Sequence, residues 1–151
     1  MSVHVYIDGD ACPVREETYT VARRHGVPVT VVANQWLRTP PDMTFQRVSD
    51  DFDAADDWIA EAAGPGAVVV TADILLAERC LKAGASVLAP NGKPMTLDTI
   101  GRQIAVRAIM ADLRSGAEQP NIGGPPPFAP RDRSRFLEAL HLLLEKGKRR
   151  P

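Results

Sequence analysis

Apolar positions fall along the chain in short runs that stop at polar or acidic residues, and between those runs they recur with helical spacing. Val3, Val5 and Ile7 end at Asp8-Gly9-Asp10, and Pro13 then stands where a helix begins, since its missing N–H costs nothing there. A helix over about Val14–Arg24 closes at His25-Gly26, and Pro28 introduces the β-branched run Val29–Val32. A loop from Asn34 to Asp42 leads to a weaker strand near Phe45–Val48, after which Asp50, Asp51, Asp53, Asp56 and Asp57 open a helix that stops at Gly64-Pro65-Gly66. Ala67–Val70 reads as a fully buried strand, and Thr71-Ala72-Asp73 leads at once into a helix to Lys82, closed by Gly84. A strand Ser86–Leu88, a turn at Asn91-Gly92 and a helix over about Leu97–Leu113 complete a core of about residues 1–114. A Gly/Pro loop of about 115–130, a helix of about 132–145 and a frayed basic tail, 146–151, follow. Strands alternating with helices predict an α/β fold, three-layer α/β/α with a mainly parallel sheet, in one domain over 1–151.

Composition narrows the classes. Apolar residues at 44% and charged residues at 25% are ordinary for a globular domain, and a net charge of -1 gives no global attraction to nucleic acid or membrane. An anionic partner must therefore meet a local patch. Cys12 and Cys80 are too few for a disulfide framework, no apolar run approaches the roughly 18 residues of a membrane span, and Met1–Ile7 is too short and uncharged for a signal peptide. The expectation is a cytoplasmic protein.

In an open parallel sheet, ligands bind beyond the carboxyl ends of the strands. The residues that follow each apolar run are Asp8 and Asp10, Asn34, Asp50 to Asp53, then Thr71 and Asp73. Carboxylates gathered on one rim repel one another unless a cation compensates them, and Mg2+ or Mn2+ takes such oxygen ligands. Acids also cap helices, and Asp10, Asp53 and Asp73 each stand near a helix start, where a cap contributes about 1 kcal/mol. Asp8 ends a strand with no helix adjacent, which favours a functional role. Asp56 and Asp57 fall in a first helical turn, where dipole compensation and metal binding are equally good accounts.

The run Val5-Tyr6-Ile7-Asp8-Gly9-Asp10-Ala11-Cys12-Pro13-Val14 resembles the YaiI/YqxD family of bacterial proteins. Val32-Ala33-Asn34, Asp53 to Ile59, Val70 to Ile74, and Gly123-Gly124-Pro125 through Phe128, Asp132 and Arg133 follow in that family's order, so the resemblance covers nearly the whole chain. That family is similar to PIN-like nuclease domains, including the NYN branch, whose strand-end acids bind Mg2+ or Mn2+ and cut RNA. The resemblance implies a PIN-like fold and a metal held by Asp8, Asp73 and a middle acid that is Asp53, Asp56 or Asp57, with Asp10 as a further ligand or a supporting acid. It further implies phosphodiester hydrolysis in which Thr71 orients the attacking water and Asn34 hydrogen-bonds a phosphate or a ligand carboxylate. Thr71-Ala72-Asp73-Ile74-Leu75 lacks the second acid that NYN members carry after the fourth strand, which separates this chain from their two-metal pattern.

An RNA substrate calls for cations, and Arg102, Arg107, Arg131, Arg133 and Arg135 are the candidates, with Gly123 and Gly124 allowing close backbone approach. Trp36, Trp58 and Phe128 are the available stacking platforms, and Trp58 reads better as core. Two rival readings stand beside the nuclease: a metal- or RNA-binding module without catalysis, and a haloacid-dehalogenase-type phosphatase using Asp8, for which the later acidic pair is missing. Cys12 and Cys80 read as packing residues, and His4, His25 and His141 are scattered without a nucleophilic partner. The sequence leaves the oligomeric state open, a dimer included.

Overall fold

The computed structural model describes residues 3–10, 12–51, 53–116 and 128–148, and within them six strands form one sheet. In chain order these are β1 (His4–Asp8), β2 (Val29–Ala33), β3 (Thr44–Arg47), β4 (Ala67–Val70), β5 (Ser86–Leu88) and β6 (Pro94–Met95). Their spatial order is β3-β2-β1-β4-β5-β6, with the first five parallel and β6 antiparallel to β5. Five helices complete the described chain: α1 (Arg15–His25), α2 (Ala54–Ala62), α3 (Ile74–Lys82), α4 (Leu97–Gly116) and α5 (Pro130–Lys148).

The two-residue period of a strand sorts the apolar side chains into two cores. Val5 and Ile7 of β1, Val29 and Val31 of β2 and Val68 and Val70 of β4 turn to one face, where they meet Tyr19 and Ala22 of α1 and Phe136, Leu140 and Leu144 of α5. Val32, Val69 and Val87 turn to the other face and meet Ile59 of α2, Leu76, Ala77 and Cys80 of α3 and Ile100 of α4. Each of these fully buried side chains contributes about 1.5–3 kcal/mol relative to exposure, which is why the uninterrupted β-branched runs occupy the middle of the sheet. The two longest helices differ in their seating, since α5 buries three large side chains and α4, beyond Ile100, leaves Val106, Ile109 and Leu113 exposed.

The α/β architecture and the parallel core agree with the sequence pattern, and three boundaries differ from it. The sequence reading missed β6, because two residues headed by a proline carry no strand periodicity; Pro94 is tolerated there because the strand lies at the sheet edge. Helix α4 runs to Gly116 and α5 begins at Pro130, so the expected loop is shorter at both ends. The expected frayed tail is helical through Lys148, where the α5 backbone rests on the start of β1: a Cβ on Gly147 would meet Val3 Cγ2 at 2.9 Å. Gly123 and Gly124 lie outside the described residues.

The turn before β6 fits closely against α5. Gly92 has φ of 86°, and a Cβ there would lie 2.6 Å from the Arg135 carbonyl carbon, so only glycine meets both the backbone conformation and the space. No helix among the described residues is long and apolar enough to cross a membrane.

Candidate functional site

The chain leaves β1 toward β2 and β3 on one side and returns to β4 on the other, so the loops after β1 and β4 part at a topological switch point. A cleft of about 510 Å³ opens there, lined by Asp8, Asp10, Asn34, Asp53, Asp56, Asp73 and Arg79 among others. Gly9 permits the tight exit from β1, because its N–H donates to the Val32 carbonyl at 2.8 Å and a Cβ would meet Val31 at 2.9 Å. That anchor leaves Asp8 and Asp10 on either side of the glycine and both at the cleft.

Asp8 and Asp73 are connected through Thr71. The Thr71 hydroxyl, in a residue only 2% exposed, donates to Asp8 Oδ2 at 2.9 Å and accepts the Asp73 N–H at 3.0 Å. Its proton is therefore committed to a carboxylate, and Thr71 positions two acids instead of presenting its hydroxyl to a water. Asp73 caps α3 with Oδ1, which accepts from the Leu75 and Leu76 N–H groups at 2.9 and 3.2 Å. Burial raises the Asp8 carboxyl above the usual carboxylate range, the Thr71 bond opposes that rise, and the charges of Asp10 and Asp73 add to it.

The acids of α2 are held differently. Asp53 occupies the N-cap position with φ of 66° and makes no side-chain cap bond, so it does not serve as the expected cap. Asp56 is pushed up to about 6, first by burial and then by the charges of Asp73, Asp8 and Asp53, against a small opposing pull from Arg79. Asp57 turns to α3 and pairs with Arg79 at 2.7 Å. Asp10 also caps no helix, since α1 starts at Arg15 behind Val14. Of the three acids near helix starts, Asp73 alone is a hydrogen-bonded cap.

The cleft's carboxylate donors are oxygens, which suit a hard divalent cation, and Asp8 and Asp56 are each raised by burial first and then by neighbouring carboxylate charges. Among the described residues no three His, Cys, Asp or Glu side chains already stand in a metal-holding group.

Of the residues expected to contact substrate, Asn34 lines the cleft, and its carbonyl accepts from Arg47 Nε at 3.4 Å. The arginines are elsewhere. Arg102 pairs with Asp98 along α4 at 2.9 Å, and Arg133 binds Glu17 at 2.5 Å and the Pro13 carbonyl at 3.0 Å with its guanidinium over the Phe128 ring. Arg135 pairs with Asp132 at 3.8 Å. Arg107 and Arg131 are exposed on α4 and α5, and neither lines the cleft. The sequence reading overlooked two cations. Arg79 stands three residues beyond Leu76 on the cleft-facing side of α3, a spacing visible in the sequence, while Arg15 lines a neighbouring depression and is unmarked by any motif.

Burial pushes both thiols up to about 11, Cys12 with further help from the Asp8 charge, so neither is a ready nucleophile. His25 and His141, distant in sequence, meet across α1 and α5 at 2.8 Å, well removed from the cleft-lining set.

The family described as "Uncharacterized BCR, YaiI/YqxD family" matches residues 6–146. The chain is 63% identical over 147 residues to a UPF0178 protein of Sphingopyxis alaskensis, covering 96% of this chain and 95% of the relative. It is 57% identical to the UPF0178 protein bll3966 of Bradyrhizobium diazoefficiens, over 97% of this chain and 87% of that one. It is also 54% identical to a UPF0178 protein of Rhodopseudomonas palustris, over 96% and 94%. No solved structure matches significantly.

Proposed function

The chain belongs to the YaiI/YqxD family, and for this member we propose a divalent-metal-dependent phosphodiester hydrolase whose centre is the acidic cleft at the switch point. The observation that carries this reading is the convergence of Asp8, Asp73 and Asp56, from three separate elements, on one cleft without a cation to balance them except Arg79 among the described residues lining it. Asp8, Asp56 and the free Oδ2 of Asp73 would hold Mg2+ or Mn2+, with Asp10 and Asp53 beside them. Such an ion polarises a phosphate and lowers the pKa of a bound water.

The protein's own residues supply the rest. Thr71 fixes the separation of Asp8 and Asp73, and the α3 cap keeps Asp73 Oδ1 engaged so that Oδ2 alone is left to the cleft. Asn34 offers an amide to a substrate phosphate at the rim, and Arg79 offers a guanidinium, already half-neutralised by Asp57. The α/β sheet is compatible with a PIN-like domain, which supports the same chemistry.

Calorimetric titration with Mn2+, on the wild type and Asp8→Asn, tests the metal. Binding by the wild type that falls at least tenfold in the variant is expected; equal binding by both overturns the site. Incubation with RNA and Mn2+ tests catalysis, where cleavage lost in Asp8→Asn is expected and metal binding with no cleavage would identify a non-catalytic module.

A further inference from the structure

Beside the acidic cleft, on the β2 and β3 side of the rim, the surface changes character. A depression of about 460 Å³ shares Asp10 and Asn34 with the cleft and is lined further by Cys12, Arg15, Gln35 and Leu37. Leu37 turns inward, where its Cδ1 stands 3.0 Å from the position of a Gly9 Cβ, and its neighbours Trp36 and Arg38 are both exposed. Trp36 is 71% exposed, the highest value among the exposed large apolar side chains of the described residues. Arg47, at the end of β3, reaches the Asn34 carbonyl at 3.4 Å and so stands over the same loop.

Arg23, Arg79, Arg102, Arg133 and Arg135 each hold a carboxylate within 4.0 Å, whereas among the described residues none lies that close to Arg15, Arg38 or Arg47, nor to Arg24, Arg107 or Arg131. What sets Arg15, Arg38 and Arg47 apart from Arg24, Arg107 and Arg131 is their place: Arg15 lines the depression, Arg38 follows Leu37 on the loop that lines it, and Arg47 bonds the Asn34 carbonyl. A single exposed tryptophan is unremarkable on any surface. Trp36 stands between Gln35 and Leu37, which line the depression with Arg15, and shares its loop with Arg38 and with the Asn34 carbonyl that Arg47 binds; the rim thus holds the two parts of a single-strand platform, an aromatic face for a base and cations for the backbone. The acids alone would repel a polyanion, and a mononucleotide bound in the cleft would not need cations from α1, the β2–β3 loop and β3.

We propose that Arg15, Trp36, Arg38 and Arg47 form a binding track for single-stranded nucleic acid, which leads a phosphodiester into the acidic cleft; this rests on the hydrolase reading of that cleft. A duplex keeps its bases stacked and offers Trp36 no face, so the track selects unpaired strands.

The test is fluorescence anisotropy with a short labelled oligouridylate, the matching oligodeoxyuridylate and a duplex of the same length, on full-length protein. Trp36→Ala is expected to weaken single-strand binding about 10-fold, and Arg15→Gln to lower the slope of log affinity against log salt by about 1. Trp36 is exposed, so unchanged melting of the variant verifies that its fold is intact. Single-strand binding equal in wild type and Trp36→Ala, or duplex binding as tight as single-strand binding, overturns the track; relative affinity for the two oligonucleotides assigns RNA or DNA. Asp8→Asn separates the two readings: track binding with unchanged Mn2+ binding in Asp8→Asn upholds the track and overturns the cleft. Loss of Mn2+ binding in Asp8→Asn beside an unaffected Trp36→Ala does the reverse.

Discussion

The two walls of the cleft place similar acids by opposite means. On the β1–β4 side, Asp8 and Asp73 share the Thr71 hydroxyl, and Asp73 is further tied to the first turn of α3. On the α2 side, Asp53 and Asp56 make no side-chain hydrogen bond among the described residues, Asp53 sits in left-handed backbone, and Asp56 is held near the charges of the facing wall. The first wall is determined by bonding within the fold. The second retains its unfavourable charge, and a bound cation would relieve it. The difference teaches where stability and ligand response part: substitutions in the bonded wall should cost the fold as well as metal binding, whereas substitutions in the α2 wall should act on the response to metal and pH at little cost to the fold.

The largest effect expected is that of Thr71→Val. It removes the donor to Asp8 and the acceptor of the Asp73 N–H in a buried residue, and destabilises by about 3 kcal/mol in urea unfolding; a loss under about 0.5 kcal/mol would show that the wall is held by packing alone. Asp73→Ala deletes the α3 cap and should cost about 1 kcal/mol by the same measurement, with Asp73→Asn retaining most of the cap.

Asp56→Asn should move stability in the opposite direction, by no more than about 1 kcal/mol once solvent screening is allowed for. The folded carboxyl is raised from 3.8 to about 6, so the stability gained by protonation is complete below about 4 and is lost as pH rises through about 6. The neutral variant therefore matches the wild type in melting temperature at pH 4 and exceeds it above pH 6. A difference independent of pH would sever Asp56 from the facing acids. Saturating Mn2+ should shrink or reverse the advantage above pH 6, since only the wild type keeps the ligand.

Asp53→Gly carries the smallest effect, a gain of about 0.5 kcal/mol as the left-handed strain is relieved against the greater freedom of the unfolded glycine. A loss of that size would mean that the Asp53 side chain holds the α2 wall in place.

Much of this arrangement was legible in the sequence because it depends on local signals. The β-branched runs Val29–Val32 and Ala67–Val70 declared buried parallel strands, and Asp8, ending β1 with no helix beside it, stood out as other than a cap. Asp73 reads both as a helix cap and as a metal ligand, and the cap is present through its Oδ1. What the sequence hid depends on tertiary partners. Arg133 looks free for substrate in the sequence, and its partner Glu17 lies 116 positions away; the pairing of Asp57 with Arg79 spans 22 positions, whereas the Arg102–Asp98 pair lies four residues apart on α4 and was open to sequence reading. The middle acid stayed a choice among Asp53, Asp56 and Asp57, because only the rotation of α2 decides that Asp56 turns to the cleft and Asp57 away. The end of α5 depends on Val3, some 140 positions distant, and no local pattern could announce it.

Gly92 ties together parts of the chain that share no function. Its absent side chain is the space in which α5 turns past Arg135 and Phe136, so a single methyl group there would act as a wedge between helix and sheet. Hydrogen exchange would then rise along α5 while the amides of α2 and α3, on the opposite face, kept their protection. The position is thus a mechanical fuse: it lets the terminal helix be loosened on its own, and so lets one ask whether the cleft depends on the layer behind it.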